Sequence, residues 1–238
     1  MYLAKNGSKL VSWGLALVMG SIMAGTALAS SNWVSDQRIS LAKAEEMAEV
    51  ARQGSDFPIV VNEMVLRQLN RYLGTEQGRE FIRNGVNNMR GYDPILKAAL
   101  GRYGMPEEIL AVGMVESGFQ NLPANQNPVL AAGVWQFIEG TARNFGLQVD
   151  ANRDERLDVA LATDAAFRYL KANQLRFQNR LLSILAYNIG ENALQAGIQK
   201  YGTRKPWELL RKGLKTDPDY LPRVMAMVLI LKNPDSLR

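Results

Sequence analysis

Histidine and cysteine are both absent from the 238 residues. Their absence removes the serine–histidine triad, the thiol nucleophile, the zincin motif and the ordinary zinc site from consideration. No disulfide can form, and no cysteine is present to carry a lipid anchor. A glycine-rich phosphate loop is missing as well. The stretch Asp150-Ala-Asn152-Arg-Asp154 has the beginning of a calcium loop, but Glu155 replaces the required glycine and Leu161 stands where the bidentate glutamate belongs. These residues read as turn and helix-cap chemistry. Neither a metal nor a cofactor is expected. Sustained apolar–polar alternation is also lacking, so strands should be few.

An excess of one charge is nearly lacking too. The first 29 residues hold Lys5 and Lys9 but no acid, followed by a mostly apolar run from Leu10 to Leu28 that closes on Ala27-Leu28-Ala29. This is the layout of a secretory signal peptide with a small-residue cleavage site. Ser12, Gly14, Gly20, Ser21, Gly25 and Thr26 dilute the run as a membrane span. Cleavage after Ala29 would leave 26 basic and 23 acidic side chains from the original 28 and 23, a net of +3. That mild excess gives no argument for nucleic acid, whose binding needs clustered lysine and arginine. It is compatible with an anionic polymer such as a cell wall. The remaining length suits one sizeable core with a small appendage.

What is present reads as helix almost throughout. Residues 40–53 form a short amphipathic pattern with Leu41, Ala44, Ala48 and Ala51 on one side, broken by Gly54-Ser55-Asp56-Phe57-Pro58. From Asn62 to Leu73 the positions Val61, Val65, Leu69 and Tyr72 keep a helical period, and Gly74 closes it. Thr75 can cap the next helix, which carries Phe81, Ile82, Val86 and Met89 inward. Asp93-Pro94 opens another, and a last helix runs from Leu221 to Lys232. The fold class is all-α.

One acid stands out against this background. Pro106-Glu-Glu-Ile-Leu-Ala-Val-Gly-Met-Val-Glu116-Ser117-Gly118 is an apolar helix that starts on proline and two acids and stops on glycine. On a 3.6-residue period Ile109, Val112 and Gly113 share a face with Glu116, while Leu110, Met114 and Ser117 share another, so both faces are expected to be buried. A glutamate near a helix end is ordinarily solvated or salt-bridged. Placed among apolar neighbours, however, its ionisation is opposed, and a raised pKa lets it donate a proton near neutrality. Glu116 is therefore a candidate general acid. After a loop with two prolines comes Gly133-Val-Trp135-Gln136-Phe137, in which an amide sits between two large aromatics. Aromatic faces can cover a pyranose and an amide can both donate and accept, although a core Trp–Phe pair gives the same pattern. Leu181-Leu-Ser-Ile-Leu-Ala-Tyr187-Asn188-Ile-Gly190 is a third apolar helix ending in polar groups and a glycine cap.

In order and spacing, Glu116-Ser117, Gly133-Val-Trp-Gln136-Phe and Ala186-Tyr187-Asn188-Ile-Gly190 together resemble the motifs of the lytic transglycosylases with a soluble-lytic-transglycosylase domain, of the membrane-bound D type. The resemblance covers roughly residues 60–235. It implies a lysozyme-like (goose-type) helical domain over residues 60–238. Additional N-terminal helices, or a flexible segment, would precede it over residues 30–59, after a signal peptide at residues 1–29. It implies cleavage of the bond between N-acetylmuramic acid and N-acetylglucosamine in peptidoglycan. The glutamate matching Glu116 protonates the glycosidic oxygen and then acts as base toward the 6-hydroxyl of the same muramoyl residue, giving a 1,6-anhydro sugar. Ordinary glycosidases use two carboxylates about 5 to 9.5 Å apart, and no second acid near these motifs is an obvious partner. By the same resemblance Ser117, Gln136, Tyr187, Asn188 and Tyr220 orient the glutamate or bind sugar. The partners implied are peptidoglycan strands and cell-wall or secretion-machinery proteins, with no nucleic acid, in a periplasmic or secreted location.

Two features depart from the pattern. The family's last motif has a glutamate four residues before a tyrosine; with Tyr220 as that tyrosine, the place holds Thr216, with Asp217 adjacent. The lipidated cysteine and C-terminal wall-binding repeats common in the D type do not occur in the 238 residues, so wall engagement is expected from the cleft or from a partner. A goose-type lysozyme, in which water yields reducing ends, and a non-catalytic wall-binding or secretion-apparatus scaffold are the alternatives.

Overall fold

The computed structural model describes residues 38–124 and 128–237. The signal-peptide reading of residues 1–29 and the first part of the 30–59 segment lie outside the described residues. Eleven α-helices follow one another among them, joined by short 3₁₀ turns and loops. No strand occurs among the described residues beyond two isolated bridges, Ala132 with Phe137 and Val149 with Asp154. The all-α expectation holds.

Local chemistry sets the helix starts. Ser40 caps α1 (Leu41–Arg52), Asn62 caps α2 (Glu63–Leu73) and Thr75 caps α3 (Glu76–Gly91), each side-chain oxygen accepting a backbone N–H of the first turn. Pro94 opens α4 (Asp93–Tyr103). The segment after Pro106 begins as a 3₁₀ turn, Glu107–Ile109, and becomes α5 only at Leu110–Ser117, so the helix is shorter than its sequence pattern predicts. Glu108 is buried and paired with Lys232 at 3.1 Å, a stronger reason for its place than the helix dipole alone. The face of α1 is also corrected. Leu41 is 55% exposed, and Met47 takes the inward place beside Ala44, Ala48 and Ala51. In α3 only Ile82 of the four expected apolar positions is fully buried; Phe81, Val86 and Met89 are partly covered.

The later helices are α6 (Glu139–Asn144), α7 (Val159–Phe177), α8 (Arg180–Ile189), α9 (Glu191–Tyr201), α10 (Pro206–Arg211) and α11 (Tyr220–Lys232). Every residue of α11 from Tyr220 to Ile230 is buried. A helix apolar on all sides must be surrounded, and α1, α2, α5 and α8 pack around it. Because α1 contacts α11, and Asn233 donates to the Met47 carbonyl at 2.9 Å, the helix shares the core of the residues that follow. A second layer pairs α7 with α8 and α4. The C-terminal end of α5, the loop before α6, the end of α8 and the start of α11 converge at one place.

Candidate active site

Glu116 lies in the last turn of α5. Gly118 ends that helix in left-handed backbone (φ 59°), and Phe119 follows at φ 55°, so the chain reverses directly after the acid. Left-handed backbone costs a non-glycine residue roughly 1–2 kcal/mol. Phe119 is held there by complete burial, its ring edge-on to Trp135 at 5.9 Å.

The chain returns through the turn Gly133–Gln136, pinned at both ends by reciprocal backbone hydrogen bonds between Ala132 and Phe137. Three side chains staple it. Ser117 Oγ donates to the Val134 carbonyl at 2.7 Å, Tyr187 Oη donates to the Trp135 carbonyl at 2.8 Å, and Arg156 Nη1 donates to the Phe137 carbonyl at 3.1 Å. The buried Arg156 is itself charge-balanced by Asp154 at 2.7 Å. Gly133 has φ 77°, and a Cβ there would lie 1.9 Å from the Arg156 carbonyl oxygen, so only glycine fits. Gln136 adopts φ 49°, is nearly buried, and donates from Nε2 to the Gly133 carbonyl at 2.8 Å. The three sequence motifs thus form one hydrogen-bonded unit.

This unit walls a pocket lined by Val115, Glu116, Gln136, Phe137, Tyr187, Asn188, Asp217, Tyr220 and Arg223, with Ala131, Ile138, Thr141 and Tyr169. Tyr220 Oη donates to Glu116 Oε1 at 2.6 Å. Burial pushes the Glu116 carboxyl up to about 7 from an ordinary 4.5; the Tyr220 hydrogen bond and the Arg223 charge pull it down, and Asp217 pushes it up. Burial first, then the nearby Glu116 carboxylate, raises the Tyr187 and Tyr220 hydroxyls well above their ordinary range, so both stay protonated donors. On the far side Thr216 Oγ1 donates to Asn188 Oδ1 at 2.9 Å, and Asp217 is ion-paired with Arg223 at 2.5 Å. Fixing the Asn188 oxygen as acceptor assigns its amide NH₂ as the group left to donate.

Of the expected site residues, Glu116, Gln136, Tyr187, Asn188 and Tyr220 come together around this pocket. Ser117 does not line it: its side chain is buried beneath the turn and bonded to Val134. Trp135 is fully buried, donating to Thr163 and packed edge-on against Phe119 and Phe167, so it belongs to the core; the aromatics lining the pocket are Phe137, Tyr169, Tyr187 and Tyr220. Asp217 supplies a second carboxylate that sequence reasoning did not place beside Glu116. Arg223 was missed, though a cation three residues beyond Tyr220, in the apolar first turns of a helix, was its signal. Thr141 and Tyr169 carried no signal, since their approach is set by packing of distant helices. The Asp150–Asp154 turn spends its acids locally, Asp150 on the N–H groups of Asn152 and Arg153, and Asp154 on Arg156.

Residues 93–210 match the transglycosylase SLT domain. The chain is also 30% identical over 178 residues to proteins named membrane-bound lytic murein transglycosylase D from Escherichia coli K12 and from Escherichia coli O6:H1, an alignment covering 72% of this chain. It spans 38% of the length of those relatives. Glu116, the Gly133–Gln136 turn and the Tyr187-Asn188 pair all fall within the matched residues, and the helices that carry them form the lysozyme-like arrangement of that domain. Residues 93–210 thus place the chain among the proteins that carry a transglycosylase SLT domain.

Proposed function

We propose that this protein cleaves the β-1,4 bond between N-acetylmuramic acid and N-acetylglucosamine of peptidoglycan without water, leaving 1,6-anhydro ends. The observation that carries the reading is a single carboxyl with its proton affinity raised to about 7 by burial, fixed at 2.6 Å by Tyr220 in a pocket of aromatic and amide groups. Protonated Glu116 gives its proton to the glycosidic oxygen as the bond from C1 to that oxygen breaks. The resulting carboxylate takes the proton of the 6-hydroxyl, whose oxygen bonds to C1, and the enzyme returns to its starting state. The substrate's own N-acetyl group stabilises the cation in between. Asp217, the other carboxylate lining the pocket among the described residues, is engaged by Arg223 and by the Asp219 N–H, which leaves it poorly placed to activate water as the second acid of a hydrolase does.

Gln136 and Asn188 serve as the polar contacts to sugar, Tyr187 and Ser117 hold the turn that presents Gln136, and Tyr220 orients the acid. The proposal extends to an exported chain whose leader, residues 1–29, is removed, with residues 60–238 as the catalytic domain and peptidoglycan strands as the partner. Among the described residues no helix is long and apolar enough to cross a membrane. Replacing Glu116 by Gln keeps the volume but removes the proton, and turnover of purified peptidoglycan should fall at least about a hundredfold. Near-normal turnover of that variant would end the proposal.

A further inference from the structure

Arg223 is a guanidinium in an unusual place. It sits in a helix buried along its whole length from Tyr220 to Ile230, is 7% exposed, and lines the pocket one helical turn beyond Tyr220, whose hydroxyl holds Glu116. Its Nη2 is paired with Asp217 at 2.5 Å, while its Nε has no hydrogen-bond partner. A buried cation that is only half satisfied costs stability, so cap geometry alone is a poor account of its presence. Asp217 is likewise turned to the pocket: one oxygen takes the Asp219 N–H at the head of α11 and the other takes Arg223.

The groups that face Glu116 are few. From α11 they are Tyr220 and Arg223, from the loop before it Asp217, and from α8 Tyr187, while Tyr169 of α7 lines the same pocket with its hydroxyl turned to the Ala186 carbonyl and Glu191. The tyrosines stay neutral. Among the described residues, Arg223 and Asp217 are therefore the groups that bring formal charge to the acid, and they bring opposite signs. We propose that Asp217 and Arg223 are a positioning pair for Glu116: the guanidinium receives the carboxylate left when the proton is given away, and Asp217 restrains that charge so the proton is still held beforehand. The inference rests on Glu116 being the acid of the proposed reaction.

A pair of this kind predicts effects of opposite direction. Asp217→Asn leaves Arg223 uncompensated and should lower the pH at which Glu116 ionises by about one unit. Arg223→Gln should raise it by a similar amount, and the double variant should return close to the parent. Arg223→Lys keeps the charge and should shift it least. The direct readout is the carboxyl ¹³C NMR titration of Glu116 in the full-length protein, assigned by the signal lost in Glu116→Gln, because it needs no turnover. The alkaline limb of kcat/KM on peptidoglycan should then move with it. Should Arg223→Gln fail to fold, Asp217→Asn, at a partly exposed position, still decides the matter. Unmoved titration, or movement of both single variants in one direction, would overturn the pair and assign both residues to capping α11. Opposite shifts in a protein without turnover would keep the pair and remove the transglycosylase reading.

Discussion

A carboxyl group walled by Val115, Tyr187 and Tyr220 holds its proton longer than one in water, and the consequence reaches beyond catalysis. Folding raises the Glu116 pKa from 4.5 to about 7, so the folded chain binds this proton more tightly than the unfolded chain. The stabilisation is fully present below about pH 4.5 and is lost as the pH rises to about 7, at a cost of about 3 kcal/mol once ionised. Glu116→Gln has no such loss. Urea denaturation should find it close to the parent at pH 4 and more stable at pH 8; equal stability at both pH values would mean the carboxyl is not desolvated. Tyr220→Phe removes a donor that favours the carboxylate. The alkaline limb of its rate profile should move upward, at a stability cost of about 1 kcal/mol. A downward shift would contradict the assigned direction of that hydrogen bond.

At the scale of elements, the turn Gly133–Gln136 ties the site together, since Ser117, Tyr187 and Arg156 all donate to its carbonyls or those beside it. Gly133→Ala would drive a Cβ into the Arg156 carbonyl and force strained backbone. A loss of at least about 2 kcal/mol is expected, with impaired turnover because Gln136 moves with the turn. Unchanged denaturation would show that the turn can relax. The helix pattern, the Gly118 stop and the convergence of three motifs were legible because they depend on local spacing and apolar period. The functions of Ser117 and Trp135 were not, because the same residues serve a sugar cleft or a core and only tertiary packing decides between them. Leu41 shows the same limit: a helical period defines a stripe but not which edge of it meets a neighbour. Asp217 and Arg223 were hidden for a related reason, since their pairing depends on how the loop enters α11.

At the scale of the whole molecule, α11 unites stability and chemistry. Its buried length packs against α1, α2, α5 and α8, and its first turn presents Tyr220 and Arg223 to an acid carried by α5. Core packing therefore fixes the geometry around Glu116 as rigidly as it fixes the fold. The fate of the cleaved bond separates a transglycosylase from a hydrolase. Mass spectrometry of peptidoglycan digested by the protein beside its Glu116→Gln variant tests it most directly. Anhydro-muropeptides are expected, lighter by one water than hydrolysis products and absent with the variant. Hydrated reducing ends, or intact glycan with both proteins, would contradict it.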